Sequence, residues 1–299
     1  MSVEYALVSA PLQRGGPNED YVALCETGDQ QPFLAVVVDG HGWEFDERGR
    51  RLVKSPTVAA FARDVALGVR DGFLQHGDAG ALPQVFDEVA RRVEAAYRPR
   101  TQSRDGLPMD VGAVASCVVV TRTHVHLAQT GDCRLYGALS GGWTVGYRRL
   151  SRDHNANNQS ELRRLRPFLV SGEFRLLQPP GGNGLPRLPR GTPDRLHRRD
   201  VAGQVVAGPE PTRAFGDWTF CPAVTHVPEC RSFELEALGD GELFALCSDG
   251  GNRFVEAAFE RFRDVTRHVG LSTVADFVRA GLHKAHDDVS VVFFRVVDP

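Results

Sequence analysis

Six cysteines, at positions 25, 117, 133, 221, 230 and 247, form no Cys-x-x-Cys pair. Several lie inside apolar runs, the pattern of small buried hydrophobes in a reducing compartment, and the expected location is the cytoplasm. No apolar run approaches the length of a membrane span. The first residues, MSVEYALVSAPLQRGG, lack the basic flank and apolar stretch of a secretory signal. Excess charge is lacking as well: 35 basic against 38 acidic residues give a net −3. Neither nucleic acid nor an anionic membrane is therefore expected as the main partner. No internal repeat and no clean linker interrupts the chain. A hydrophobic content of 42% in 299 residues is ordinary for a globular protein with a sizeable core.

What is present is a recurring junction between apolar runs and aspartate. Residues 33–42 read FLAVVVDGHG, a valine-rich run of the kind buried on both faces, ending on Asp39, Gly40, His41 and Gly42. Taken alone, Asp-Gly is a turn dipeptide, and Asp71-Gly72, Asp105-Gly106 and Asp240-Gly241 supply others. The pattern recurs, however. LFALCS ends in Asp249-Gly250, and Asp287-Asp288 stands directly before VSVVFFRVV. Three strands with an aspartate at one end suggest carboxylates gathered at one edge of a sheet. Such a cluster repels itself unless a cation neutralises it, so a metal site is the economical reading.

In chain order, strands are expected at 5–9 and 21–25, on either side of the polar loop RGGPNED. Helices are expected at 56–73 and 83–97, each with proline near its start and apolar residues at helical spacing. A strand meander covers 114–143. His124 and His126 alternate there, and an exposed strand face explains them better than metal ligation. A short helix is expected at 159–165, strand-like segments at 224–227 and 231–235, helices at 255–265 and 272–284, and a last strand to the end. Residues 172–211 are rich in glycine, proline and arginine. They are expected to form no regular core, serving instead as a surface insertion or a lid. The order of elements argues for one α+β domain of mixed sheets with helices packed outside.

The ordered motifs NED (18–20), VVVDGHG (36–42), GAVASCVVV, TGDCRLY (130–136), LSRDHN (150–155), TRAFGD (212–217), LCSDGG (246–251) and DDVSVVFF (287–294) resemble the metal-dependent serine/threonine protein phosphatases of the PPM (2C-type) family, over nearly the whole chain. The resemblance implies a four-layer α/β/β/α sandwich, two antiparallel sheets flanked by helix pairs. The whole of 1–299 would be a single catalytic domain with a flap-like insertion at about 172–211. It also implies two Mn²⁺ or Mg²⁺ ions, with a third in some members, and the absence of a Cys/His ligand cluster agrees with such hard cations.

By that resemblance Asp39 bridges two ions and the Gly40 carbonyl completes one coordination sphere. Asp249 and Asp287 hold one ion, Glu19 with Asp20 behind it serves the other, and Asp132 helps hold a third. His41 corresponds to the residue that protonates the leaving oxygen, and water activated by the metals hydrolyses phosphoserine and phosphothreonine. The expected partner is a phosphorylated protein and the expected state a monomer. Departures from the family pattern are visible. The phosphate-gripping arginine falls at Arg14, with Gly15 at the usual position. Trp43 replaces a glycine, and Asp288 replaces a common asparagine, adding charge beside the metals. A catalytically silent protein of this fold that binds a phosphoprotein is the alternative, although it would be expected to have lost Asp39, Asp249 or Asp287. An unrelated metal-dependent hydrolase with another substrate is the third reading.

Overall fold

The computed structural model describes residues 2–12, 16–25, 32–42, 54–99, 111–141, 144–177, 194–199, 205–238, 242–263 and 268–297. The chain starts with strands β1 (Ser2–Ala10), β2 (Asp20–Cys25) and β3 (Phe33–Gly42), followed by helices α1 (Pro56–His76) and α2 (Leu82–Tyr97). A meander follows: β4 (Val111–Val120), β5 (His124–Thr130), β6 (Arg134–Gly141) and β7 (Thr144–Arg149). Helix α3 (Gln159–Val170) then leads to β8 (Phe174–Leu177), β9 (Arg195–Arg199), β10 (Val205–Ala207), β11 (Phe215–Gly216) and β12 (Glu229–Glu234). The last elements are α4 (Leu235–Leu238), β13 (Leu243–Cys247), α5 (Asn252–Arg261), α6 (Leu271–Gly281) and β14 (Val289–Val297).

Two antiparallel sheets face each other. One has the order β12-β5-β4-β3-β2, with β11 paired to β4, and the other has β1-β14-β13-β6-β7. Three apolar layers separate the elements. Val36, Val38, Ala115 and Cys117 meet Phe61, Val65 and Phe86 of the α1/α2 pair. Val37, Val118, Leu246 and Val292 form the layer between the sheets. Ala245, Val291 and Phe293 meet Val255, Phe259 and Val274 of α5 and α6. The α/β/β/α sandwich expected from the motifs is thus the fold. Being covered on both faces explains why β3 and β4 read as unbroken apolar runs: all ten residues of β4 are buried.

Local chemistry sets the helix ends. Ser55 is extended and its side chain accepts the Val58 amide, capping α1, while Pro56 takes the first turn, where a missing N–H does no harm. Gly77 in the left-handed region closes the same helix.

Three local expectations change. The carboxylates do not share one sheet edge: Asp39 belongs to one sheet, and Asp249 and Asp287 flank strands of the other, so two facing sheets bring them together. Residues 224–227 form no strand, only a bridge between Thr225 and Arg213. The described ends of the 172–211 insertion do build regular structure, the sheet β10-β9-β8. Phe174 and Leu196 anchor it in the layer between the two large sheets, and Phe174 packs near Phe168 and Phe220. Two well-placed apolar residues offset the glycine and proline around them.

Candidate metal centre

Along β2 and β3, Asp20 lies opposite Asp39, so the strand pairing itself concentrates negative charge. Gly40 follows at a point of close approach. Its amide donates to the Glu19 carbonyl at 3.0 Å, and a Cβ there would come within 2.8 Å of that oxygen and of Val58. No larger residue fits without displacing the chain. From the opposite sheet, β13 delivers Asp249 into a short helical turn, and Asp287 precedes β14.

Glu19, Asp39, Gly40, His41, Asp132, Asp249 and Asp287 line one cavity of about 370 Å³. Asp20 is buried beneath it and accepts a 2.6 Å hydrogen bond from Ser248 Oγ. Arg14 and Trp43 lie outside the described residues.

The electrostatics of this group are those of crowded like charges. Burial, then the charges of Asp20, Asp249 and Asp132, push the Asp39 carboxyl well above its ordinary range, and Asp39 is within hydrogen-bonding reach of Asp249. Burial raises Asp20 to about 8, with Asp288, Asp249 and Asp287 adding to it against the Ser248 bond. Burial and Asp249 raise Asp132 to about 7. A bound cation would relieve this crowding, and the donor set, all carboxylate and carbonyl, suits Mg²⁺ or Mn²⁺. Among the described residues, no group of three or more histidine, cysteine or acidic side chains is arranged so as to hold a metal ion as it stands.

The Asp132 turn is held from outside. Gly131 donates its amide to His154 Nδ1 at 3.1 Å, and the His154 amide returns a bond to the Gly131 carbonyl at 3.0 Å. Asp153 accepts a two-pronged bond from Arg134 at 3.0 and 2.8 Å. The LSRDHN motif therefore buttresses the TGDCR motif.

Three further residues at the cavity were not singled out from sequence. Asp217 accepts a 2.7 Å hydrogen bond from His41 Nε2. Its backbone adopts the left-handed conformation with φ 47°, a position that aspartate tolerates at modest cost. A Cβ on Gly112 would strike both members of that pair, so the glycine opposite His41 in β4 makes room for them. Arg195 of β9 lines the cavity beside Glu210, and its buried Nε has no hydrogen-bond partner among the described residues. Lys54 reaches in from the loop before α1. The only sequence signals were the aspartate ending TRAFGD, an arginine in the glycine/proline-rich insertion, and a lysine in a polar loop.

The family model of Protein phosphatase 2C matches residues 51–168. No curated protein matches the sequence at a significant level. Solved structures similar to it include a serine-threonine phosphatase 2C from Toxoplasma gondii, with TM-score 0.63 and 14% identity over 98% of this chain and 94% of that one. The serine/threonine phosphatase of S. agalactiae has TM-score 0.59 and 15% identity, covering 99% of this chain and 100% of that one. PppA, described as a key regulatory component of the T6SS in Pseudomonas aeruginosa, has TM-score 0.56 and 21% identity over 99% of both. At these identities the structural likeness speaks for the fold. The family match covers residues 51–168, and over the rest of the chain the likeness to these phosphatases is one of fold.

Proposed function

We propose that the chain hydrolyses phosphoserine and phosphothreonine in proteins, using Mn²⁺ or Mg²⁺ held by its carboxylates. The observation that carries this is convergence: residues from position 19 to position 287 line the same cavity. Asp39 would lie between two ions, with the Gly40 carbonyl and Glu19 on one side and Asp249 and Asp287 on the other. Asp132 would serve a third. Bound divalent ions supply charge neutralisation at the phosphoryl oxygens and an activated water.

The remaining work falls to side chains already in place. His41 keeps the proton on Nε2 toward Asp217, because an ionised carboxylate only accepts. As imidazolium it presents the proton on Nδ1 to the departing serine or threonine oxygen. Arg195, which lines the cavity, would bring its guanidinium to a phosphate entering there, a task the motifs assign to Arg14. The 172–211 insertion, of which Arg195 is part, would act as a flap choosing the phosphoprotein, within a single catalytic domain. Among the described residues no helix is long and apolar enough to cross a membrane. A cytoplasmic location and a monomeric state complete the proposal.

The test is hydrolysis of an aryl phosphate and of a phosphoserine peptide with Mn²⁺, with Mg²⁺ and with excess chelator. Turnover should need metal and fall by about 10²–10³-fold in Asp39→Asn, the loss of several kcal/mol of transition-state stabilisation. Absence of turnover from folded protein with either metal would favour the silent phosphoprotein binder.

A further inference from the structure

The loop before α1 ends in a lysine that the family motifs do not contain. Lys54 Nζ lies 2.9 Å from Glu19 Oε2, 3.1 Å from Asp287 Oδ1 and 3.0 Å from Asp288 Oδ2, and its side chain is only 11% exposed. The other Glu19 oxygen accepts the Ser55 amide at 2.6 Å. The other Asp288 oxygen accepts the Leu12 amide at 2.6 Å. At this corner of the cavity the chain's own donors engage Glu19 and Asp288 fully, and a resident positive charge faces three carboxylates. Asp288 itself is the aspartate that stands where the family resemblance has asparagine. An added anion and an added cation therefore occur together and touch.

The other corner is different. Among the described residues no ammonium or guanidinium forms an ion pair with Asp39, Asp132 or Asp249, and Asp39 meets Asp249 directly. A divalent ion entering there relieves repulsion. One entering beside Glu19 must take an oxygen that Lys54 already holds, and it must approach a like-charged ammonium.

We propose that Lys54 is a built-in cation that occupies the Glu19 side of the acidic cluster and makes the two ion positions unequal. One ion binds tightly at Asp39 and Asp249, together with the Asp287 oxygen that Lys54 does not hold, and the second, on the Glu19 side, binds only by displacing the lysine. The inference rests on the metal-dependent reading above but concerns ion count rather than turnover.

The test is calorimetric titration of the chelator-treated full chain with MnCl₂, together with the electron paramagnetic resonance spectrum at each ratio. Wild type should take up one Mn²⁺ tightly, giving the spectrum of an isolated ion. A second site should be about 10- to 100-fold weaker, the scale on which neighbours of ligands tune affinity. Lys54→Met should bring the two affinities together and produce the broadened spectrum of coupled ions at a ratio of two. Lys54→Arg, which keeps the charge, should behave like wild type. Two equally tight sites in the wild type, or an unchanged ratio of affinities in folded Lys54→Met, would overturn the proposal while leaving metal-dependent hydrolysis standing. Failure of every folded variant to bind Mn²⁺ would overturn both.

Discussion

The molecule contains two recessed acidic sites with opposite surroundings. Glu161 has no exposed surface, yet it is fully answered. Arg213 donates Nε and Nη2 to one oxygen at 2.9 and 2.7 Å, and Arg164 donates the same pair to the other at 3.0 and 2.9 Å. Thr212 Oγ1 adds a bond at 2.8 Å. Burial works against this charge, but the Arg213 bonds and both arginine charges prevail and hold the carboxyl at about 2. Arg164 and Arg213 go on to bond the carbonyls of Ala223, Thr212 and Val227, tying α3 to the segment that leads to Asp217. Asp39 has the contrary surroundings, with acidic neighbours and a raised carboxyl. A chain that satisfies one carboxylate with two guanidinium groups has the means to satisfy another. Where it leaves carboxylates facing each other, that arrangement supports the metal-dependent reading proposed above.

The contrast breaks most sharply at Glu161. Replacing it with glutamine leaves two arginines without their counter-charge and should destabilise the fold by about 3–5 kcal/mol, measurable by urea unfolding. The pH dependence has a definite sign. The folded carboxyl titrates at about 2, below its ordinary value of about 4.3 in an unfolded chain. Its stabilisation is present above that unfolded value and disappears as pH falls through the folded one. The acid limb of stability should therefore be shallower in Glu161→Gln.

At the other cluster the sign reverses. Asp39→Asn removes one of several mutually repelling charges. It should raise the melting midpoint of chelator-treated protein by a few degrees, on the order of 1 kcal/mol, while abolishing the benefit of added Mn²⁺. A lower midpoint would mean that the carboxylates of the cavity are not in conflict. The smallest effect sharpens the comparison within the cavity. Asp217→Asn should slow hydrolysis of a phosphoserine peptide by about 10- to 100-fold, part of the usual contribution of a positioned acid. An aryl phosphate, whose leaving group needs little protonation, should be affected much less. Equal losses on both substrates would assign Asp217 to structure alone.

The sheets and the outer helices were legible because their signals are local. Valine runs became β3, β4 and β14, and apolar spacing with proline starts became α1 and α2, displaced by a few residues at their ends. Asp39, Asp249 and Asp287 were also legible, since each stands at a strand junction. Lys54, Asp217 and Arg195 were not, because their surroundings come from distant parts of the chain. Lys54 meets a carboxylate 234 residues away at Asp288, and His41 meets one 176 residues away. A polar loop and a glycine/proline-rich insertion carry no periodicity that would announce such contacts. The small sheet β10-β9-β8 was hidden for a related reason: two buried residues, Phe174 and Leu196, hold it in place.

The Ser55 amide has a consequence for how the protein would register events in the cavity. That amide is bonded to Glu19, while the Ser55 hydroxyl and carbonyl receive the Val58 and Ala59 amides that start α1. A ligand that drew Glu19 away would take the acceptor from the amide of the residue that caps a 21-residue helix. Faster exchange of the Val58 and Ala59 backbone protons on filling of the cleft would be its trace.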